Sequence, residues 1–319
     1  INWYIVAQES TAATMFENGE LDQYQPTGDY AIKFEKEAEE GKYQYMVTDY
    51  PGTIGLRFNF INGGTSGLMS NVKIRKAISY SIDREEMIDA VYGRYNPAYS
   101  YVAPAITFNG SSYRSQVGEV IEDEYNEYVG DPDKIVALFQ EGLDELGVET
   151  PIEDITLTYL TSGSTTEVQA EREYIQQSLE ETLGLTVELS VAGDNSLFIA
   201  DRNEGNYDFF LGGWYSDYND PLDFLYTNYT DAYGMSFGGY SNTDYDALAD
   251  QLVGETDMDK RLDIYKQMEQ ILLLDDCAFA PIYYATKQVL LQNWVKDYRT
   301  SSFGASAEFI WTYIDGKNQ

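Results

Sequence analysis

The fold is indicated by residues 157–191, which read LTYLTSGSTTEVQAEREYIQQSLEETLGLTVELSV. Leu157, Tyr159 and their neighbours predict a strand. A helix is predicted from about Thr165 to Leu183, because apolar residues recur there on one face. A second strand follows, in which polar residues alternate with Leu185, Val187, Leu189 and Val191. This β-α-β order predicts an α/β lobe with a mostly parallel sheet.

Helices are also predicted on both sides of this unit. Residues 71–92 predict two consecutive helices, in which Asn71 can cap the first and Asp83 the second, with Glu86 completing a capping box. Asp131 followed by Pro132 is typical of a helix start. Two later helices are predicted, from Asp244 to about Val253 and from Met258 to Leu274.

The two ends of the chain predict strands. Ile1–Val6 has the composition of a buried strand, and residues 55–61 alternate large apolar with other residues. Three apolar runs predict closing strands at residues 282–284, 289–291 and 309–311. Residues 93–130 lack periodicity and are rich in Tyr, Ser, Gly and Asn, so we expect an ordered loop there.

The chain is strongly acidic. Its 319 residues contain 54 Asp and Glu but only 20 Lys and Arg, and the sequence pI is about 4.1. Nucleic acid is therefore a poor candidate partner, because phosphate binding needs clustered cations. The longest aliphatic runs are also far shorter than the ~20 residues of a membrane-spanning helix.

The chain has no histidine and one cysteine, Cys277. An internal disulfide, a Cys/His zinc site and catalysis by a histidine base are therefore excluded. We expect Cys277 to be a buried, unreactive thiol. No other pattern indicates a metal site, a cofactor or a set of catalytic residues.

The densest group of polar and aromatic residues is WYSDYNDP at residues 214–221. It follows a predicted strand, and ligands of open α/β sheets gather at the carboxyl ends of strands. An Asx turn with aromatic packing explains the same composition. Two nearby acids are also compatible with glycoside hydrolysis, although the sequence does not give their separation.

Several segments together resemble a known family. Residues 71–84, NVKIRKAISYSIDR, are similar to the signature of the extracytoplasmic solute-binding proteins of peptide ABC importers, family 5. Residues 17–22 (ENGELD) and the span from Asp208 to Leu225 resemble two further elements of that family, in the same order. The segment from Asp244 to Tyr284 also fits.

The resemblance implies an α/β, periplasmic-binding-protein-like fold of class II, with two lobes. Members of the family are much longer, so we expect this chain to be a C-terminal fragment without the signal peptide and lipid anchor. Residues 60–285 would then form the complete lobe II. Residues 1–59 and 286–319 would form part of lobe I.

The resemblance also implies a function and a site. The chain would be the substrate-binding component of an ABC importer, holding an oligopeptide or dipeptide between the lobes and delivering it to the permease subunits. Asp217 would pair with the α-ammonium group of the ligand, and Trp214, Tyr215 and Tyr218 would line the wall of the site. We expect an extracytoplasmic monomer, either a cell-surface lipoprotein or periplasmic, that is not an enzyme and binds no cofactor or metal.

Two alternatives stay open. A related solute-binding protein for oligosaccharides would use the same fold, with Tyr and Trp stacking on sugar rings. A glycoside hydrolase is the alternative from another class, and it would require two carboxylates that face one cleft.

Overall fold

The computed structural model describes residues 1–230, 237–303 and 307–317. In these residues the α-helices are α1 (Glu9–Glu17), α2 (Gly28–Glu39), α3 (Val72–Tyr80), α4 (Arg84–Met87), α5 (Tyr113–Val117), α6 (Glu122–Tyr128), α7 (Pro132–Leu146), α8 (Thr166–Leu183), α9 (Asn195–Glu204), α10 (Pro221–Leu225), α11 (Thr243–Gln251) and α12 (Met258–Gln270). The strands are β1 (Gln23–Tyr24), β2 (Gln44–Phe58), β3 (Asn96–Pro97), β4 (Thr107–Phe108), β5 (Ser111–Ser112), β6 (Thr156–Ser162), β7 (Thr186–Ala192), β8 (Phe209–Tyr215), β9 (Phe279–Leu291), β10 (Val295–Lys296) and β11 (Tyr313–Ile314). Across the described ranges, no helix combines the length and apolar character that crossing a bilayer requires.

Seven of these strands form one mixed sheet. Its order is β1-β9-β2-β8-β6-β7, with β3 also paired to β9. Strand β6 is parallel to β7 and β8, whereas β2 is antiparallel to both β8 and β9. The prediction of a mostly parallel sheet was therefore wrong. The antiparallel strands β2 and β9 come from distant parts of the chain, so no local pattern reveals their pairing.

The β-α-β unit itself is confirmed as β6, α8 and β7. The return from β7 to β8 runs through α9, which the sequence analysis missed. Asp194 caps this helix by accepting a hydrogen bond from the Leu197 amide, at 2.9 Å. No residue of α9 is fully buried, and its apolar residues Leu197, Phe198 and Ile199 are consecutive, so they do not form the stripe that would have indicated a helix.

The predicted helix starts are confirmed by their caps. Asn71 Oδ1 accepts from the amides of Lys73 and Ile74, and Asp83 Oδ1 accepts from the amide of Glu86 at 3.0 Å. These bonds satisfy amides that have no partner within the helix. Two helices continue as π-helical turns, from Ile88 to Tyr92 and from Ile271 to Asp275.

Other predictions at the ends of the chain were wrong. Residues 1–6 form no strand, and the side chain of Ile1 is 84% exposed, because no strand of the described residues pairs with this segment. Residues 309–311 are also not a strand, whereas the runs at 282–284 and 289–291 belong to the single strand β9. The region 93–130, expected to be a loop, includes the helices α5 and α6 and the short strands β3, β4 and β5.

The core occupies both faces of β2 and β9. Leu56 of β2 and Ala280 of β9 belong to a cluster with α3, α7 and α8. Phe279, one residue from Ala280, belongs to a second cluster with α10, α11 and α12. Neighbouring residues of a strand point to opposite faces, which explains why β2 becomes continuously buried from Pro51 onward.

Two arginines of the 71–84 motif are buried and fix loops by hydrogen bonds. Arg84 donates through Nε to the carbonyls of Ala98 (3.1 Å) and Pro281 (2.7 Å), and its guanidinium lies 4.2 Å from the centre of the Tyr125 ring. Arg75 donates to the carbonyl oxygens of Met69 and Asp276. A buried guanidinium needs several acceptors, so these residues hold the fold together rather than bind ligand.

The predicted division into lobes at residues 59/60 and 285/286 stays a prediction. The packing favours a lobe boundary that lies earlier on β2, because Ile54, Leu56 and Phe58 already belong to the cluster that contains α3. The register of β2 against β9 is also interrupted between Asp49 and Thr53.

Candidate functional site

Strand β8 carries the predicted site to the edge of the core. It pairs with β2 so closely that a Cβ atom at Gly213 would lie 1.9 Å from the carbonyl oxygen of Thr53. Only glycine permits this approach of the two backbones. Beyond Tyr215 the chain turns, and the amide of Ser216 donates to the carbonyl of Pro51 at 2.7 Å. The turn is thus tied to β2.

The carboxylate of Asp223 organises this turn. Its Oδ2 atom accepts hydrogen bonds from Trp214 Nε1 (2.9 Å), Ser216 Oγ (2.7 Å) and the amide of Asp217 (2.8 Å). Asp223 is buried on the short helix α10. Sequence analysis did not single out this residue; its position just after the cap Asp220 and Pro221 was the available signal.

Two other acids between residues 208 and 225 also have structural partners. Asp220 Oδ1 caps α10 by accepting from the Leu222 amide at 2.9 Å, and it accepts from the Tyr265 hydroxyl at 2.8 Å. Asp208 is buried and accepts from Thr158 and Ser66. Burial raises the pKa of Asp208 above its ordinary value, and these hydrogen bonds oppose that rise.

Asp217 differs from these three acids. Its side chain is exposed, and no hydrogen bond or ion pair links its carboxylate to another residue that the structure describes. Its own amide is held by Asp223. The turn therefore holds the backbone of Asp217 in place and leaves its carboxylate available to a ligand.

The three aromatic residues of the segment are placed differently. Trp214 is half-buried against the cluster of α10–α12 and bonded to Asp223, so it supports the turn. Tyr215 and Tyr218 are exposed at 47% and 48%. The Tyr215 ring lies over Gly52, where a Cβ atom would be 2.3 Å from the ring, and its centre is 5.6 Å from that of Tyr50.

A cavity of about 340 Å³ lies beside Tyr215. Its walls come from five parts of the chain: residues 25–27, Tyr50, Arg94 with Tyr95, Tyr215, and residues 285–288 of β9. This volume is at the lower end of the range of small-molecule sites. A larger cavity, about 830 Å³, lies between residues 1–25 and 291–317 and contains none of the predicted site residues.

Sequence analysis missed Arg94, a charged residue in the wall of the smaller cavity. Its Nη2 atom donates to Glu167 Oε1 (2.6 Å) and to the Tyr95 hydroxyl (3.0 Å). Behind it, the ring of Tyr95 stacks on Tyr283 with centres 4.4 Å apart. Arg94 lies in a stretch without periodicity, and its partners are distant in sequence, so no local signal could have identified it.

Neither a metal nor thiol chemistry is favoured at this site. In the described ranges, no three His, Cys, Asp or Glu residues are grouped as metal ligands. Cys277 is buried, as expected, and burial raises the pKa of its thiol to about 11. The chemistry available is an exposed carboxylate at Asp217, aromatic surface at Tyr50 and Tyr215, and two cationic groups, Arg94 and Lys287, in the cavity wall.

Comparison with known proteins gives consistent results. Residues 1–236 match the family of bacterial extracellular solute-binding proteins, family 5. The chain is 29% identical over 295 residues to the dipeptide-binding protein DppE of Bacillus subtilis, covering 92% of this chain and 50% of that protein. It is 31% identical over 237 residues to the oligopeptide-binding protein OppA of the same organism, covering 72% and 39%.

The fold agrees with these sequence matches. The structure of Listeria monocytogenes OppA bound to peptide superposes with a TM-score of 0.76 at 28% identity, covering 98% of this chain and 57% of that one. The predicted α/β fold of the periplasmic-binding-protein type is confirmed. The chain spans about half the length of the curated relatives that it matches.

Proposed function

This chain belongs to the bacterial extracellular solute-binding proteins of family 5, and we propose from that premise that it serves as the substrate-binding component of a peptide ABC importer. The ligand would be a peptide whose α-ammonium group pairs with Asp217. The names of the two Bacillus subtilis relatives, dipeptide- and oligopeptide-binding, support a peptide ligand.

The observation that carries this proposal is the contrast among the acids of residues 208–225. Asp208, Asp220 and Asp223 accept hydrogen bonds from within the fold, whereas Asp217 is exposed and has no such partner among the described residues. A ligand ammonium that leaves water needs a counter-charge, and a carboxylate whose backbone is already held by the turn can supply it.

The same contrast argues against the alternative functions. Glycoside hydrolysis needs two available carboxylates, but the neighbours of Asp217 within the segment are used as a helix cap and as the acceptor at the centre of the turn. No contact in the described residues favours a sugar over a peptide. We therefore expect binding without turnover.

The remaining parts of the proposal follow from family membership. The family consists of extracellular proteins, and we place this protein outside the cytoplasm, as a periplasmic or lipid-anchored monomer that delivers its ligand to permease subunits. Trp214, Tyr215 and Tyr218 would surround the amino end of the peptide. The two predicted lobes would close on the ligand by bending of the strands that connect them.

The test is calorimetry of the full-length protein with a tripeptide, Ala-Ala-Ala, and its N-acetylated form. Asp217→Asn should weaken binding of the free amine at least tenfold and leave binding of the acetylated peptide almost unchanged, because only the free amine loses a charged partner. Asp263→Asn, an exposed acid on α12, is the control and should change neither. Equal losses for both peptides would remove Asp217 from this role.

A further inference from the structure

The cavity beside Tyr215 contains a buried hydrogen-bond donor that the fold does not use. The Arg94 side chain is only 8% exposed, and its Nη1 atom has no hydrogen-bond partner among the described residues. Its ion pair with Glu167 occupies Nη2 alone. Leaving a charged donor buried and unpaired is costly, so its presence at a cavity wall points to an acceptor that arrives from outside the chain.

The charge of the cavity wall is opposite to that of the protein. Among the described residues, two cations, Arg94 and Lys287, line the cavity and no Asp or Glu does, although acids outnumber bases 54 to 20 in the whole sequence. Burial lowers the pKa of Lys287, as expected for an ammonium group that has lost part of its hydration. An anion in the cavity would compensate for that loss.

Two carboxylates lie close behind the wall. Glu167 offsets the charge of Arg94 through Nη2 but leaves Nη1 without an acceptor among the described residues. Glu171 accepts a hydrogen bond from the Tyr92 hydroxyl, and burial raises the pKa of Glu171 to about 7, so it is largely protonated under mildly acidic conditions. The cavity can therefore hold a negative group between Arg94 and Lys287.

We propose that this cavity is a subsite for a carboxylate of the bound peptide, with Arg94 as hydrogen-bond donor and Lys287 as counter-charge. The proposal rests on the proposed function above and specifies its substrate class. Planar guanidinium groups match carboxylate geometry well. The alkyl part of the same ligand residue would contact Tyr50, Tyr95 and Tyr215.

The position of the cavity limits which carboxylate it can take. Tyr215 lines the cavity and Asp217 follows two residues later, so their Cα atoms are at most about 7 Å apart. The carboxylate must therefore lie near the amino end of the ligand. It is either the terminal carboxylate of a dipeptide or the side chain of Asp or Glu in the first residues of a longer peptide.

Two pairs of peptides distinguish these sources by calorimetry on the full-length protein. Ala-Glu-Ala-Ala against Ala-Gln-Ala-Ala reports on a side-chain carboxylate, and Ala-Ala against its C-terminal amide reports on the terminal one. We expect at least a tenfold preference for the acid in one pair. Arg94→Gln and Lys287→Gln should each reduce that preference several-fold, whereas Lys266→Gln, at an exposed site on α12, should not.

The outcomes separate the two proposals. If all four peptides bind with equal affinity, the carboxylate subsite is wrong and peptide capture stands. A preference for the acid that both cavity variants leave intact also overturns the subsite. If none of the peptides binds, the proposed function fails, and the subsite fails with it.

Discussion

Oδ2 of Asp223 lies 2.9 Å from Nε1 of Trp214, and the same oxygen accepts from the amide of Asp217 at 2.8 Å. One carboxylate thus connects the end of β8 to the residue that we assign to ligand binding. The relationship separates two roles that the sequence alone does not distinguish: Asp223 shapes the turn, and Asp217 is presented by it.

Asp223→Ala should therefore weaken both the fold and ligand capture. Three donors lose their shared acceptor, and we expect the free energy of unfolding to fall by about 2–3 kcal/mol. Urea denaturation followed by tryptophan fluorescence measures this change. Asp263→Ala, an exposed acid on α12, is the control and should cost less than about 0.5 kcal/mol. A small effect of Asp223→Ala would show that the turn keeps its shape without this acceptor.

Gly213→Ala tests the close approach of β8 and β2. The added Cβ would lie 1.9 Å from the Thr53 carbonyl oxygen, so the paired backbones must separate. We expect a loss of at least about 3 kcal/mol or failure to fold. Gly193→Ala is the matched control, because its Cβ would make only an ordinary 3.4 Å contact with Leu197. Thermal unfolding of the two variants should differ clearly; similar melting temperatures would contradict the observed register.

Glu171 should make stability depend on pH. Burial raises the pKa of Glu171 in the folded protein from its usual 4.5 to about 7. Between these values the folded state retains a proton that the unfolded state has released, so the free energy of unfolding falls as pH rises from 4.5 to 7. We expect this residue to contribute a decrease of about 2 kcal/mol over that window.

Glu171→Gln removes that contribution. The variant should therefore lose less stability than the unchanged protein as pH rises from 4.5 to 7, in chemical denaturation at a series of pH values. Glu173→Gln, an exposed neighbour on α8, should leave the pH profile as it is. Parallel profiles for all three proteins would mean that Glu171 is already ionised in the folded state.

Local signals predicted much of the fold. Caps such as Asn71 and Asp83 were identified from sequence because a cap and the amides it serves lie within three residues of each other. The pairing of β2 with β9 was not, because Leu56 and Ala280 are separated by more than two hundred residues. Helix α9 was missed for a different reason: its apolar residues Leu197, Phe198 and Ile199 are consecutive, so they give no helical periodicity.

The candidate site shows the same limit. A strand end followed by acids and aromatics marked residues 214–221, but composition could not tell which acid was available. Whether an acid is available depends on hydrogen-bond donors from distant parts of the chain, such as the Tyr265 hydroxyl of α12, which donates to Asp220. Arg94 was missed altogether, since its surroundings are assembled from β9, α8 and residues 25–27. The division into lobes stays a prediction.

The hydrogen bond from Ser216 to Pro51 has a mechanical consequence. Pro51 lies where the ladder between β2 and β9 is interrupted, between Asp49 and Thr53. A break in a ladder is where a long strand bends most easily, and this one is joined directly to the turn that carries Asp217. If β2 flexes at that joint, the turn moves with it. Under the role proposed for Asp217, a ligand bound there would restrict this flexing and so make β2 more rigid.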